Sequence, residues 1–194
     1  MVITRLDYKP KFDKIVELLL YMVHVRPNAD QYQAVKFLYL ADCEHLNRYG
    51  RPITFETYCA LPYGPVASHA LNMIKGDRIT LRKAGIDKLP IKMKKLANII
   101  YLRAPEREVN YEVFSKSDLK VFDEILKKYG TKTFGQLYEI THSHFAYKNA
   151  WQRRGGNQSV PMRYEDMLMA GPISKAGFVK EDVVADLEAT ASHM

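Results

Sequence analysis

The chain has 194 residues, 47% hydrophobic and 26% charged, proportions that exclude broad disorder and suffice for one domain spanning 1–194 with a sizeable core. The longest apolar run, residues 15–23, contains Glu17 and is too short to cross a bilayer, and no leader-like pattern precedes it. Two cysteines, Cys43 and Cys59, offer neither a disulfide framework nor a zinc spacing, so the expected setting is the reducing cytoplasm, away from membranes.

In chain order, Lys11 to Val25 carries Phe12, Ile15, Val16, Leu19, Met22 and Val23 at helical spacing and stops before Arg26-Pro27. Asn28 or Asp30 can cap a longer helix over 31–49, with Val35, Leu38, Asp42, Leu46 and Tyr49 near one line and Gly50 placed to end it. After Arg51-Pro52, residues 53–61 (ITFETYCAL) read as a strand, and 78–81 (RITL) and 98–102 (NIIYL) as two more, enough for one small antiparallel sheet.

Between strand and helix stands ALPYGPV (60–66). Pro62 forces Leu61 into an extended conformation, Gly64 allows dihedrals closed to other residues, and Pro65 suits the first position of a helix running to Lys75. The stretch is expected to be a rigid strand-to-helix corner that gives Tyr63 a defined direction. One glycine and a proline that removes an amide are a poor phosphate loop, and Ser68 and His69, being adjacent, cannot form a nucleophile–base pair.

The second half reads as helices. Ser115 caps 116–129, which buries Leu119, Phe122, Ile125 and Leu126, with Asp118 at the third position. Thr133 caps the next helix, with Phe134, Leu137, Tyr138, Ile140 and Thr141 on its core face, and residues 153–161 form a loop. Short helices are expected near 164–169 and 180–188. The fold class is therefore α+β and mainly helical, with helices around a small antiparallel sheet.

The net charge of +7 is concentrated in one place: residues 75–95 hold eight Lys/Arg against two Asp/Glu, whereas residues 96–194 hold thirteen of each. Such a segment serves as a solvated face, or attracts an acidic protein or nucleic acid. Asp42 and His45, three apart on one helix, can hydrogen-bond or share a ligand, and Arg48 can join Glu44 or His45; the structural reading makes Asp42 a partly buried polar residue bonding the Arg48–Pro52 turn. His142, His144, Cys43 and Cys59 are too scattered for a metal site. Trp151, the sole tryptophan, reads as core, and Tyr39, Tyr49, Tyr58 and Tyr63 as amphipathic rings for a wet core edge or an interface. Met162, Met167 and Met169 read as adaptable core filling.

Three ordered blocks, Lys36–Asp42, Arg48–Thr54 and Tyr63–Pro65, followed by the acidic-apolar helix at 118–130 and a block ending in Trp151, resemble the Panacea domain, the SocA-like antitoxin domain, over residues 11–153. Residues 154–194 would then be a C-terminal helical extension. The resemblance implies a module that neutralises a co-encoded protein toxin by direct binding, in a family paired with many unrelated toxins. SocA-like members can also hand a toxin to a AAA+ protease. Toxin-contact candidates are Tyr63, Gly64 and Pro65 on the corner, and Arg78, Arg82, Lys83 and Lys92 in the basic segment. Asp42, Arg48, Gly50, Pro52 and Trp151 form the structural signature. Neither catalysis, a cofactor nor a metal is expected. The alternative is a nucleic-acid-binding regulator using 75–95.

Overall fold

The computed structural model describes residues 8–168, and the helix expected near 180–188, with Met169, lies outside them. Eight α-helices and two three-stranded antiparallel sheets make an α+β, mainly helical architecture among the described residues. At its centre is α2 (Gln31–Tyr49), buried on nearly every side and packed against α5 (Lys116–Tyr129), α6 (Phe134–Ser143) and α8 (Tyr164–Leu168). Asp30 opens α2 in a reciprocal capping box with Gln33, and Gly50 closes it at φ 70°. Those two end signals, rather than a single apolar stripe, define the helix, because almost every side chain between them is in the core.

Ahead of α2, α1 (Phe12–Val25) lies along the first sheet and the 3₁₀ turn Tyr111–Val113. That sheet has the order β1 (Ala29–Asp30), β5 (Ile99–Pro105), β4 (Ile91–Leu96). Arg107 on the far side of β5 pairs with buried Glu17, which also accepts from the Asn110 amide and ties the sheet's exit to α1.

The second sheet corrects the corner. Residues 53–57 are not strand: Asp42 accepts hydrogen bonds from the amides of Ile53 (2.8 Å) and Thr54 (2.9 Å), and Phe55 turns the chain at φ 54°, so this backbone is committed to α2 before a ladder can form. Pairing begins only at β2 (Tyr58–Leu61), which turns directly into β3 (Gly64–Ala67), with Leu61 opposite Gly64 and Pro62-Tyr63 as the loop. Pro65 therefore lies in a strand, not at a helix start. Among the described residues, the sheet order β3, β2, β6 (Val160–Pro161) leaves β3 on an edge, where a missing N–H is tolerated. The next helix, α3 (Ser68–Ile74), starts three residues later than its sequence suggests.

Residues 78–81 are also corrected, from strand to the helix α4 (Arg78–Lys83). Asp77 caps it, accepting from the Thr80 amide and hydroxyl, and this local bonding overrides β propensity. The basic residues farther on, 91–96, supply the strand instead. Ser115 and Thr133 cap α5 and α6 through capping boxes with Asp118 and Gln136, as their spacing predicts. On α5 it is Val121, Phe122, Ile125 and Tyr129 that are buried, with Leu119 and Leu126 half-buried. On α6, Leu137 and Thr141 are buried but Phe134 is exposed.

Candidate functional site

Three consecutive carbonyls at the β2–β3 tip are met from beneath by side chains of three helices. The Tyr147 hydroxyl of α7 (Phe145–Gln152) donates to the Leu61 carbonyl at 3.0 Å, and Lys36 Nζ of α2 donates to the Tyr63 carbonyl at 2.8 Å. His142 Nε2 of α6 lies 3.2 Å from the carbonyl between them, that of Pro62. The main chain of the tip is thus fixed by groups other than its own side chains. The Tyr63 ring, relieved of any anchoring role, is 61% exposed.

Gly64 makes the arrangement possible. Its φ of +103° is closed to ordinary side chains, and a Cβ there would come within 2.5 Å of Lys36 Nζ and 3.0 Å of His142 Cε1. Lys36 itself is 2% exposed, and among the described residues it takes part in no ion pair. Burial lowers its pKa from 10.5 to about 8, as expected for an ammonium whose hydrogen-bond acceptor is a neutral carbonyl.

His142 stands between two acceptors, with Nδ1 2.8 Å from the Tyr138 carbonyl and Nε2 facing Pro62. Both bonds form together only on the imidazolium, because a neutral ring has one N–H. Burial, the largest influence, and the charge of Lys36 push its pKa down against the pull of the two carbonyls. The neutral ring therefore keeps one of the two bonds.

Aromatic rings extend the tip across two helices. Phe134, Tyr138 and His142 follow one another at i+4 spacing on α6, and Tyr147 and Trp151 do so on α7. Tyr63 meets Phe134 edge-on at 6.2 Å, His142 stacks on Tyr138 at 3.6 Å and lies 4.3 Å from Tyr147, and Tyr147 stacks with Trp151 at 6.0 Å. Arg154 covers the Trp151 ring at 4.7 Å. Tyr63 and Phe134 are the exposed members and the rest are half-buried or buried, so the strip is a rigid platform with two projecting rings. The i+4 run of rings on α6 was the available signal in the sequence, but Phe134 and Tyr138 read there as core-facing.

The predicted contact residues separate into three places. Tyr63 projects, while Gly64 and Pro65 are buried beneath it as support. Arg78, Arg82 and Lys83 are exposed on α4, where Arg78 and Arg82 help line an open cleft of about 270 Å³ with Leu81, Ile86 and Asp87. Lys92 is exposed on β4 with Lys94 and Lys95.

The signature residues are structural in distinct ways. Asp42, fully buried, also accepts from the Thr54 hydroxyl at 2.5 Å and the Tyr58 hydroxyl at 2.8 Å, and so welds the 53–58 segment to α2. Its grip falls just after the Arg48–Pro52 turn, not on it. His45 holds the turn, donating from Nδ1 to the Arg51 carbonyl at 2.7 Å, with Nε2 3.0 Å from Ser117 Oγ and 3.2 Å from Asp118. Arg48 bridges Glu44 of its own helix to Glu124 of α5, and Pro52 is buried. Asp118 gathers Lys14, Arg51 and His45; although burial alone would raise its pKa, the bonds from His45, Lys14 and the Ser115 amide hold it well below the carboxylate range. Trp151 is half-buried in the aromatic strip, not in the main core.

His69 is occupied as well. Its Nδ1 donates to buried Glu56 at 2.5 Å, and the same carboxylate accepts the His69 and Ala70 amides at the start of α3. Glu56 thus caps α3 from outside the helix, and the His69 ring is part of that cap. His144 turns away from His142, into the core beside the Tyr39 hydroxyl, where burial brings its pKa down to about 4. Burial also raises the pKa of the Cys43 thiol, which opposes formation of a thiolate. Among the described residues no three His, Cys, Asp or Glu side chains converge as metal ligands, and no helix is long and apolar enough to cross a membrane.

The family model described as "Antitoxin SocA-like, Panacea domain" matches residues 35–151. That span runs from the first turns of α2 to Trp151 and includes Lys36, the β2–β3 tip, α4, β4 and the aromatic strip. No curated protein and no solved structure matches the chain.

Proposed function

Because the chain belongs to the SocA-like antitoxin family of Panacea domains, we propose that it neutralises a cognate protein toxin by stoichiometric binding, as one domain and without chemistry of its own. The observation that carries this reading is the Tyr63 ring, 61% exposed on a turn whose backbone is already fixed. An exposed aromatic on a preorganised support loses little conformational entropy on binding and suits an interface centre. Exposed Phe134 beside it widens the apolar contact. Arg78, Arg82, Lys83 and Lys92 would accelerate encounter with an acidic toxin rather than supply its main affinity.

The test is co-expression with the product of the adjacent reading frame, measuring complex formation and rescue of growth. Tyr63→Ala should leave folding stability within about 0.5 kcal/mol and weaken the complex at least about tenfold. Absence of both complex and rescue with the unaltered chain would sink the antitoxin reading. An Arg82→Glu, Lys83→Glu double variant should slow association at low salt and leave dissociation nearly unchanged. Delivery of the captured toxin to a AAA+ protease is the extension that family membership suggests, and the toxin's half-life with and without the chain decides it. The concentration of positive charge in 75–95 favours a second reading, a nucleic-acid-binding regulator, whose mark would be duplex affinity falling steeply with salt.

A further inference from the structure

β4 is an edge strand of unusual exposure. Among the described residues it pairs with β5 on one side only, and after Ile91 every residue to Leu96 is exposed. The hairpin closes with Leu96 opposite Ile99 across a two-residue loop whose first member, Ala97, has φ 51°. In such a hairpin the closing pair is the hydrogen-bonded one, and alternation along an antiparallel pair then turns the N–H and C=O groups of Lys95 and Met93 outward. Two residues' worth of backbone donors and acceptors thus face the open edge, flanked by the exposed apolar side chains of Met93 and Leu96.

Charge selects what can use that edge. Lys92, Lys94 and Lys95 lie along β4, and the residues opposite them on β5 are Ala104, Tyr101 and Ile100, so no carboxylate neutralises them across the pair. A second copy of this strand would set lysine against lysine, the arrangement by which edge strands repel their own kind. An acidic strand meets no such penalty. A single-stranded nucleic acid would satisfy the charge but not the alternating amides and carbonyls. We infer that the free edge of β4 is a strand-addition site for an acidic, extended segment of a protein partner. This deepens the antitoxin reading and rests on its premise that the chain binds a protein.

The experiment uses the full chain, amide-resolved by NMR, titrated at low salt with a short peptide of alternating Glu and Val, its Lys-for-Glu counterpart, and single-stranded DNA. The acidic peptide should protect the Met93 and Lys95 amides from hydrogen exchange, and Lys95→Pro, which removes an outward N–H but no ladder bond, should weaken it at least about tenfold. Lys94→Glu with Lys95→Glu, which leaves the backbone intact, should exchange the preference from the acidic peptide to the lysine peptide. Unprotected amides, equal binding by the Lys95→Pro and Lys94→Glu/Lys95→Glu variants, or tighter binding of DNA at the same strand would overturn the inference. A toxin complex that forms normally with both variants would also overturn it while leaving the antitoxin reading in place.

Discussion

Replacing Lys36 by Met should make the protein more stable and a poorer binder. The side chain is 2% exposed, and its pKa falls from 10.5 unfolded to about 8 folded. At about 1.4 kcal/mol per unit, keeping the ammonium charged in the fold at neutral pH costs about 3 kcal/mol. Loss of the 2.8 Å bond to the Tyr63 carbonyl returns roughly 1.5–3 kcal/mol of that, since the donor is charged. Lys36→Met should therefore gain up to about 1.5 kcal/mol near pH 7, and Met is close enough in volume to leave no large cavity. The sign with pH follows from the depressed folded pKa: the unfolded chain holds the extra proton between pH 8 and 10.5, so the Lys36 contribution rises with pH across that window. Urea titrations of both proteins should show the advantage of Lys36→Met shrinking over the same interval. Toxin affinity should fall meanwhile, because the tip has lost one of its supports. A variant destabilised by more than about 1 kcal/mol at pH 7, with a difference constant from pH 8 to 10, would refute the claim that this ammonium is buried at a cost.

Three further outcomes follow from the same geometry. Gly64→Ala should destabilise by roughly 1–3 kcal/mol through its positive φ, and pairing it with Lys36→Met should recover no more than the gain of Lys36→Met alone, because the strain lies in the backbone. Stability of the unaltered chain should decline from pH 6.5 toward pH 4 by as much as about 3 kcal/mol as unfolded His144 takes up its proton before the folded one does, and His144→Phe should flatten that limb. The loss due to Asp118 belongs to a separate, more acid window below the unfolded carboxylate pKa, since its folded pKa is depressed. Asp42→Ala, which strands two buried amides, should cost roughly 3 kcal/mol or more, whereas Asp42→Asn should cost less, because its oxygen can still accept from Ile53 and Thr54; chemical denaturation of both variants checks the order.

Helix ends were the most legible part of the sequence. Asp30, Gly50, Ser115 and Thr133 act through bonds to neighbours within a few positions, so their spacing carries the information. Residues 53–57 have strand composition, but the buried Asp42 carboxylate claims the first two of their amides, and no local pattern reveals that. Residues 78–81 contain β-branched side chains, yet Asp77 three positions before Thr80 was a visible helix signal that propensity concealed. At the site, the stiffness of Pro62-Tyr63-Gly64-Pro65 was readable and its topology was not. A proline after a glycine suits a helix start and an edge strand equally, and β6, nearly a hundred residues later, is what makes β2 a central strand. Lys36 gave no warning beyond standing in an apolar run, because its ammonium is received by the Tyr63 carbonyl, 27 positions later.

Under the binding role proposed above, a turn held by its carbonyls sets how the target is exchanged. Since Lys36 and Tyr147 grip the main chain and not the ring, the identity of residue 63 is almost uncoupled from the cost of building the loop. The scaffold can stay fixed while that one position is exchanged, much as a tool holder accepts different bits. Retargeting then needs few substitutions, at exposed positions that contribute little to folding, and each can be tried without risking the fold.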